Sequence, residues 1–337
     1  MSTVRIAVLG AGFMGSTHAN AYARLPDVEI AAIYAQSEKR AVGLAEQVNS
    51  TWVSDLDTIL ADDSITAVDI CLPSPYHRDI TEKALAAGKH VLLEKPIALN
   101  HEDGAALVKL GEETDRILMI AHVLRFWPEY VEIQRIIESG QLGKPIAALA
   151  ARRQPFPAWS DRARQPSTTG GAILDQMIHD YDVVNWLFGT PKAVSARGVL
   201  SPRTGAYDQS QVLVEYESGS AVIDGGMMMP ESYPFTTMLD VLCENGAIEY
   251  HFRAGGRSFE IGEPSNELKL FPAEGDPQVI ELPQTDAFDN ECAYFIECVR
   301  ENRKPEKGLP AESLVALDVA LAAQKSADTG ERVILGE

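Results

Sequence analysis

The sequence predicts an α/β protein with two domains: a doubly wound parallel sheet at residues 1–121, and an α+β domain at residues 122–337 whose sheet is largely antiparallel. Three observations predict this arrangement. Short apolar runs alternate with longer helical patterns in the first third of the chain, a glycine-rich motif directly follows the first apolar run, and β-branched runs dominate after residue 121. With 337 residues, 45% of them apolar, the chain can build two cores.

The first domain is predicted from alternating strand and helix patterns. Strands are expected at 5–9, 29–34, 67–72, 90–94 and 117–121, and helices at 15–25, 38–48, 76–87 and 101–114. Gly88 follows the third of these helices, where a helix-ending glycine is expected. Parallel strands joined by helices make a sheet that is covered on both faces.

The second domain is predicted from strand patterns that surround one long helix. Strands are expected at 146–152, 193–199, 211–216, 220–225, 238–243 and 246–252, and helices at 128–139, 171–188, 288–300 and 311–327. Glycine-containing turns between consecutive strands favour antiparallel pairing.

The composition excludes several classes of function. Asp and Glu total 49 against 29 Lys and Arg, and the resulting net charge of −20 repels nucleic acid and anionic membranes. The four cysteines form no C-x-x-C pair and lie in apolar stretches, which favours reduced packing thiols. Because no targeting pattern and no apolar run of about 18 residues is visible, we expect a soluble, cytoplasmic protein that binds a small molecule.

A phosphate-binding motif is predicted at Gly10-Ala11-Gly12-Phe13-Met14-Gly15, which matches G-x-G-x-x-G between a strand and a helix. In a Rossmann fold the first glycine permits the tight turn, the second leaves room for the pyrophosphate, and the third lets helix and strand pack closely. Free amides at the start of the helix attract the phosphate charge. Gly10, Gly12, Phe13, Met14 and Gly15 are therefore predicted to bind a dinucleotide.

The identity of the dinucleotide depends on the end of the second predicted strand. In NAD-binding domains an acidic residue about 20 positions after the motif binds the ribose hydroxyl, but Ala35 occupies that position here. Ser37 follows, then the cations Lys39 and Arg40, so the sequence favours NADP over NAD, with Ser37 and Arg40 as cofactor ligands. In the alternative interpretation both cations are solvated, and Gln36 or Glu38 binds the ribose of NAD.

Candidate residues for chemistry lie in both predicted domains. Asp175 and His179 are four residues apart in the predicted helix 171–188, which places them on one face. An ionisable pair among apolar residues is costly to desolvate, so it is either a proton-transfer site or a structural contact. No H-E-x-x-H and no third ligand accompany the pair, so no metal is predicted. Lys95 ends a strand, where a doubly wound sheet binds ligands; an ion pair with Glu94 is the alternative.

Three segments together carry a resemblance to a known family. They are C-L-P-S-P-Y-H at 71–77, A-L-A-A-G-K-H-V-L-L-E-K-P at 84–96, and Gly170-Gly171 followed by Asp175 and His179. The chain resembles the glucose-fructose oxidoreductase/inositol dehydrogenase/rhizopine catabolism (Gfo/Idh/MocA) oxidoreductases over nearly its whole length. The resemblance implies NAD(P)-dependent hydride transfer at a secondary alcohol of a sugar, polyol or sugar derivative. It also implies an open C-terminal sheet that often forms a homo-oligomer interface, here in a dimer or tetramer.

The resemblance further implies roles for single residues. Lys95 and Asp175 bind the reacting hydroxyl of the substrate, and His179 moves its proton. The nicotinamide side of the cofactor pocket is lined by Pro73, Ser74, His77, Glu94 and Lys95. The Lys95–Pro96 bond is a candidate cis peptide.

Further predictions concern residues that lie outside these motifs. Arg125 matches a basic position of the family, where it binds substrate or ties the two domains together. In the long segment 152–164, Trp159 is a candidate for stacking on a sugar ring. Four histidines carry no partner pattern and are expected at the surface: His18, His90, His101 and His251.

Two other functions share parts of these motifs. An enzyme that keeps its dinucleotide and oxidises its substrate only transiently, for elimination or for cleavage of a glycosidic bond, needs the same Lys95, Asp175 and His179. A non-catalytic dinucleotide-binding regulator needs the glycines but not the proton-transfer residues. Because both sets are present, a dehydrogenase is the preferred interpretation.

Overall fold

The computed structural model describes residues 3–157, 162–254 and 265–336. The chain forms two compact units, Met1–Trp127 with Thr285–Leu314, and Pro128–Gln284 with Val315–Glu337. The predicted domain ranges, 1–121 and 122–337, place Thr285–Leu314 in the second domain, whereas in the structure this segment belongs to the first unit. Such a return of the chain is hard to predict, because the apolar face of a helix does not specify the surface on which it packs.

The elements alternate between strand and helix in the first third of the chain and are rich in strands after that. In chain order they are β1 (Val4–Leu9), α1 (Phe13–Arg24), β2 (Val28–Tyr34), α2 (Glu38–Gln47), β3 (Trp52–Val53), α3 (Leu56–Leu60), β4 (Ala67–Ile70), α4 (His77–Ala86), β5 (His90–Glu94), α5 (His101–Glu113), β6 (Leu118–Ala121), α6 (Pro128–Glu138), β7 (Pro145–Pro155), α7 (Pro166–Thr169), α8 (Ala172–Asp175), α9 (Ile178–Phe188), β8 (Ala193–Leu200), β9 (Tyr207–Glu215), β10 (Ser220–Met229), β11 (Phe235–Cys243), β12 (Gly246–Ala254), β13 (Ser265–Pro272), β14 (Gln278–Ile280), α10 (Ala287–Glu301), α11 (Pro310–Thr329) and β15 (Val333–Ile334). Short 3-10 turns lie at Ser74–Tyr76, Val123–Phe126 and Arg162–Arg164.

The first unit is built on a parallel sheet of six strands in the order β3-β2-β1-β4-β5-β6. Every residue of β4 and β5 is buried, as expected for central strands covered on both faces. The strand order reverses between β1 and β4, and the carboxyl ends of such strands form the crevice where doubly wound sheets bind ligands. Helix α10 packs against α1 and completes the core of this unit.

The second unit contains a sheet of nine strands in the order β14-β13-β12-β11-β7-β10-β9-β8-β15. The β7–β10 pair is parallel, and the other pairs are antiparallel. Helices α8 and α9 pack against β7, β9 and β10. A parallel sheet followed by a largely antiparallel one confirms the predicted fold class.

The structure corrects the predicted elements in two places. Six elements were not predicted, because they are too short or too polar to give a clear period: β3, α3, α7, β13, β14 and β15. The helix predicted at 171–188 is two helices, α8 and α9. The Met177 amide donates to the carbonyl oxygen of Ala172, five residues back, at 2.9 Å, and this interrupts the regular helical ladder.

The four cysteines are free thiols, as the sequence predicted. Three of them, Cys243, Cys292 and Cys298, are buried, and Cys292 and Cys298 lie in the core of the first unit. Among the helices in the described ranges, none combines the length and the apolar character needed to cross a membrane.

Candidate active site

The glycine loop after β1 has the geometry that a dinucleotide phosphate requires. Gly10 has a φ of +132°, and a Cβ there would lie 2.6 Å from the carbonyl oxygen of Cys71. A Cβ on Gly15 would overlap the Gly10 carbonyl oxygen, whereas nothing lies within 4 Å of a Cβ built on Gly12. Gly12 is the N-cap of α1 and provides no side-chain cap, and the first-turn amides of an uncapped helix are the donors that bind a phosphate. The loop therefore fits a pyrophosphate. Phe13, which is 63% exposed, and Met14 begin the helix.

The end of β2 is open around the residues predicted to select the cofactor. Ser37 is the N-cap of α2, but its side chain caps no backbone amide. Arg40 is exposed, and it forms no ion pair within the described part of the chain. Trp52 Nε1 donates to the carbonyl oxygen of Ala35 at 3.1 Å, which fixes the backbone at the position where an acid is missing.

Strands β4 and β5 lead into the residues predicted to line the nicotinamide side. Pro73, Ser74 and His77 follow β4, while Glu94 ends β5 and Lys95 follows it. The Lys95–Pro96 peptide is cis, as the resemblance implied. His77 is buried, and its two ring nitrogens each lie 2.9 Å from a carbonyl oxygen, those of Pro96 and Leu72. His77 therefore joins the two loops that end the strands.

Two of the four histidines expected at the surface are buried, so that expectation is wrong for His18 and His90. His18 is fully buried, and its Nδ1 lies 2.8 Å from Asp69 Oδ2. His90 Nδ1 accepts a hydrogen bond from the Ile117 amide at 3.1 Å, and burial lowers the pKa of His90 to about 4. Their partners are distant in sequence, which is why no local pattern revealed them. His101 and His251 are exposed, as expected.

Asp175 and His179 flank the junction of two helices in the second unit. Asp175 is the last residue of α8, and His179 lies in the first turn of α9. Among residues 171–184, all of them described, these two side chains alone are partly exposed and the others are buried. Their predicted common face was argued from one continuous helix, which the structure does not contain. What they share is exposure at the junction.

A buried ion pair holds the start of α9 beside His179. Arg152 on β7 donates from Nε and Nη2 to the two carboxylate oxygens of Asp180, at 2.8 and 3.1 Å. The side chains are only 6% and 2% exposed. The sequence did not reveal this pair, because Arg152 was assigned to the end of a strand and the start of a long segment, and its partner lies 28 residues away.

The predicted substrate residues outside the catalytic set have different surroundings. Arg125 is buried, and its Nη1 lies 2.8 Å from Glu312 Oε2, an ion pair within the first unit. Trp159 lies outside the described residues. Where the chain enters that segment, the Phe156 ring lies 5.8 Å from the Arg164 guanidinium and 5.3 Å from that of Arg203.

Comparison with known proteins identifies relatives of both halves of the chain. A profile described as an oxidoreductase family with an NAD-binding Rossmann fold matches residues 4–122, and a profile of the GFO/IDH/MocA C-terminal domain matches residues 130–249. The chain is 28% identical to the scyllo-inositol 2-dehydrogenase (NAD(+)) of Bacillus subtilis (strain 168), over 98% of this chain and 96% of that protein.

Solved structures are similar over the full length. A putative myo-inositol dehydrogenase from Sinorhizobium meliloti 1021 has a TM-score of 0.82 at 26% identity, covering 99% of this chain and 100% of that one. A levoglucosan dehydrogenase in complex with NADH and levoglucosan has a TM-score of 0.86 over the whole of both chains, but at 19% identity the likeness shows the fold alone. These matches confirm the predicted resemblance and the predicted class of enzyme, an NAD(P)-dependent dehydrogenase. They give no support to the preference for NADP.

Proposed function

Because the chain belongs to the Gfo/Idh/MocA oxidoreductase family, we propose that it transfers a hydride between a secondary alcohol of a cyclic polyol or sugar and a nicotinamide dinucleotide. One observation carries the proposal: Asp175 and His179 are the two partly exposed side chains in an otherwise buried stretch at a helix junction. The substrate class is supported by relatives that are named as inositol dehydrogenases in Bacillus subtilis and Rhizobium meliloti.

His179 is proposed to move the proton. Oxidation of an alcohol removes a hydride from the carbinol carbon and a proton from its hydroxyl, and the bound dinucleotide supplies the hydride acceptor. Imidazole accepts such a proton readily near neutral pH, since the unperturbed pKa of histidine is about 6.5. In the direction of reduction the same imidazole returns the proton to the new hydroxyl.

Lys95 and Asp175 are proposed to bind the reacting oxygen. The Lys95 ammonium stabilises the negative charge that develops on this oxygen as the proton leaves. The Asp175 carboxylate accepts a hydrogen bond from the hydroxyl, or steadies the imidazolium that forms at His179. Both interactions strengthen in the transition state, so their loss lowers kcat more than it weakens binding.

Arg40 is proposed to bind the 2′-phosphate when NADP is the cofactor. The support is local: Arg40 is exposed without an ion-pair partner among the described residues, and Ala35 supplies no carboxylate that would repel the phosphate. Ser37 offers a hydroxyl that caps no backbone amide. The Bacillus subtilis relative is named for NAD(+), so the preference for NADP rests on these residues alone.

A homo-oligomer, a dimer or tetramer, is proposed to form through the second sheet. Leu213, Val222 and Leu149 lie side by side across β9, β10 and β7. Val222 and Leu149 are exposed, as is Leu242 on β11. A contiguous apolar patch of this kind is typical of an interface. Light scattering after size exclusion tests it: wild type is expected as an oligomer and Leu149→Lys as a monomer, whereas a monomeric wild type contradicts the proposal.

The function is tested with a matrix of cyclitols, hexoses, uronates and sugar acids, each offered with NAD and with NADP. We expect at least one cyclitol or sugar to give net reduction of the dinucleotide, followed at the nicotinamide absorbance. His179→Ala is the inactive control. The ratio of kcat/KM for NADP to that for NAD, in wild type and in Arg40→Ala, tests the cofactor assignment, because only a 2′-phosphate contact makes this ratio fall in the variant.

Two outcomes would contradict the proposal. Consumption of a substrate without net reduction of added dinucleotide would indicate an enzyme that retains its cofactor for transient oxidation. Tight dinucleotide binding without turnover of any compound in the matrix would indicate a binding protein. A strong preference for NAD in wild type would end the assignment of Arg40 but not that of the reaction.

A further inference from the structure

A cluster of buried ionisable side chains lies in the first unit, and one of its members, Glu94, is predicted above to line the cofactor pocket. We call it the His18 cluster: His18 on α1, Asp69 on β4, Glu94 at the end of β5, and Glu291 on α10. The side chains of His18, Asp69 and Glu291 have no exposed surface, and that of Glu94 is 9% exposed. Burying four ionisable groups together is costly unless their charges are paired.

His18 is the centre of this cluster. Its Nδ1 lies 2.8 Å from Asp69 Oδ2, and its Nε2 lies 3.5 Å from Glu94 Oε1 and 3.8 Å from Glu291 Oε2. Both ring nitrogens therefore face carboxyl oxygens: Nδ1 lies at hydrogen-bond distance from Asp69, and Nε2 lies near Glu94 and Glu291 at distances where the attraction is that between charges, which favours the imidazolium. The Cys71 thiol also lies near the ring, 3.6 Å from Nδ1, and donates to Asp69 Oδ1 at 3.2 Å.

The charges in the cluster follow from burial and proximity. Burial alone lowers the pKa of His18, but the carboxyl groups of Asp69, Glu94 and Glu291 outweigh it and raise the pKa to about 10. Burial raises the pKa of Glu291 well above its ordinary value, and the nearby Glu94 and Asp69 add to this. The raised pKa keeps His18 cationic at neutral pH, and the raised pKa of Glu291 disfavours its ionisation. Asp69 and Glu94 are also the carboxyl groups nearest to the ring nitrogens.

A metal ion explains the cluster less well. The donor atoms of His18, Asp69 and Cys292 lie within 4.8 Å of one another. Two ligands of one tetrahedral zinc ion lie about 3.3 Å apart, given bonds of about 2.0 Å. The 2.8 Å between His18 Nδ1 and Asp69 Oδ2 is instead the length of a charge-assisted hydrogen bond. The proton of this hydrogen bond lies between His18 Nδ1 and Asp69 Oδ2, where a metal ion bound by both atoms would have to lie.

The cluster reaches Lys95 through Glu94. Glu94 Oε2 accepts a hydrogen bond from the Lys95 amide at 3.0 Å, while Oε1 of the same carboxylate faces His18 Nε2. His18 lies on α1 three residues after Gly15, so one side chain connects the helix of the phosphate loop to the end of β5. The 3.5 Å contact is longer than a hydrogen bond, so what restrains the Glu94 carboxylate on this side is the attraction of its Oε1 to a buried cation.

We propose that His18 is a positioning residue for Lys95: its imidazolium fixes the Glu94 carboxylate, and that carboxylate fixes the backbone from which the Lys95 side chain extends. Glu291 serves as a neutral neighbour and not as a second anion. This inference rests on the proposed function, because it presumes that Lys95 acts on the reacting hydroxyl. It adds that the position of Lys95 depends on a residue of α1, the helix that follows the phosphate-binding loop.

The first test compares His18→Gln with Glu291→Gln. His18→Gln removes the cation, and kcat is expected to fall on the order of tenfold to a hundredfold, the size of effect that a small misplacement of a catalytic group produces. The Kd of the dinucleotide, measured by fluorescence titration, is expected to stay near that of wild type. Glu291→Gln copies the shape of the neutral acid and is expected to leave kcat unchanged. A folded His18→Gln enzyme with the kcat of wild type would overturn the proposal.

A double-mutant cycle separates positioning from a general loss of structure. If His18 acts through Glu94, the enzyme with both His18→Gln and Glu94→Gln is no slower than the Glu94→Gln enzyme, because the second change removes a contact that is already lost. Fully additive losses in kcat would contradict the proposal. Lys95→Met distinguishes failure of the proposed function from failure of the positioning role. Full turnover by Lys95→Met would contradict the proposed function. An inactive Lys95→Met together with a fully active His18→Gln would contradict only the positioning role.

A measurement on the wild-type protein keeps the proposal testable if His18→Gln does not fold. Nitrogen NMR of protein labelled at histidine reports the protonation of both ring nitrogens directly. The His18 signals are expected to remain those of an imidazolium from pH 6 to pH 9, a range over which free histidine is neutralised. A neutral His18 ring at pH 7 would remove the cation on which the positioning of Glu94 depends, and the proposal with it.

Discussion

Each unit places a buried polar cluster beside a candidate catalytic residue, but the two clusters are built differently. Beside Lys95, one imidazole faces the carboxyl groups of three residues. Beside His179, Arg152 and Asp180 form a closed pair with two hydrogen bonds. The first cluster contains more acceptors than donors, so its arrangement depends on where the protons are. The second is balanced, so it depends only on both partners being present.

The difference separates two ways of supporting a catalytic side chain. A change of charge in the His18 cluster is expected to alter the placement of Lys95 while the fold persists. Loss of one partner from the Arg152–Asp180 pair leaves an unpaired charge in the interior of the second unit, so it is expected to lower stability first and activity as a consequence.

The largest effect is expected from the catalytic residues themselves, and it tests whether the two units contribute different chemistry. His179→Ala is expected to lower kcat by roughly 10²- to 10⁴-fold, the usual contribution of positioned proton transfer. Added imidazole should restore part of the rate in this variant but none in Lys95→Met, because a free base replaces a proton acceptor and not a fixed ammonium. Steady-state kinetics with and without imidazole measure this.

The matched control for that experiment is His251→Ala, since His251 is an exposed histidine of the second unit that faces Asp240. It is expected to turn over like wild type and to show no response to imidazole. Equal rescue of His179→Ala and Lys95→Met would mean that the two side chains do not have the separate roles assigned to them.

The next effect is on stability and compares two neighbouring arginines of β7. Arg152→Met leaves Asp180 buried without its partner and is expected to lower the free energy of unfolding by about 3–5 kcal/mol. Arg153→Met removes the ion-pair partner of Asp224, but this arginine is 37% exposed and Gln209 Nε2 still donates to Asp224 Oδ1 at 3.1 Å, so a smaller loss of about 1–2 kcal/mol is expected. Urea unfolding of both variants measures the difference. Equal losses would show that burial does not distinguish the two pairs.

The sequence predicted the local parts of both regions and missed the parts that depend on distant partners. The glycine loop is a local motif: Gly10 adopts a φ of +132°, and a Cβ on Gly15 would overlap the Gly10 carbonyl oxygen, so both requirements lie within the motif itself. The His18–Asp69 contact spans 51 residues and joins a helix to a strand two crossovers later. Nothing in the neighbourhood of His18 distinguishes a buried imidazolium from a surface histidine.

The junction between α8 and α9 shows a second limit. Apolar residues throughout 171–188 gave a continuous helical pattern, and the break is visible only in the hydrogen bond from Met177 to Ala172. The periodicity of apolar residues predicts which face of a helix is buried, but it does not predict the carbonyl oxygen to which each backbone amide donates its hydrogen bond. The prediction that Asp175 and His179 lie on one face was argued from this continuous helix and is wrong in that respect, so the hypothesis that they act together now rests on the family pattern and on their chemistry.

The smallest predicted effect uses the pH dependence of stability, and it concerns the other end of the strand that carries Glu94. The pKa of His90 is lowered to about 4 in the folded chain, whereas an unfolded histidine titrates near 6.5. Between these values the unfolded state binds more protons than the folded state, so stability falls as the pH is lowered through this window.

The magnitude and the sign are both measurable by urea unfolding at several pH values. His90 is expected to account for a loss on the order of 1–2 kcal/mol between pH 7 and pH 5. His90→Asn keeps an acceptor for the Ile117 amide but cannot titrate, so its stability should depend less on pH over the same range. His18 has the opposite sign: its raised pKa of about 10 gives a contribution that is complete below pH 6.5 and is lost as the pH rises through 10. If the free energy of unfolding of His90→Asn falls with decreasing pH as steeply as that of wild type, His90 is not the source of this pH dependence. The predicted contrast between His90 and His18 would then be wrong.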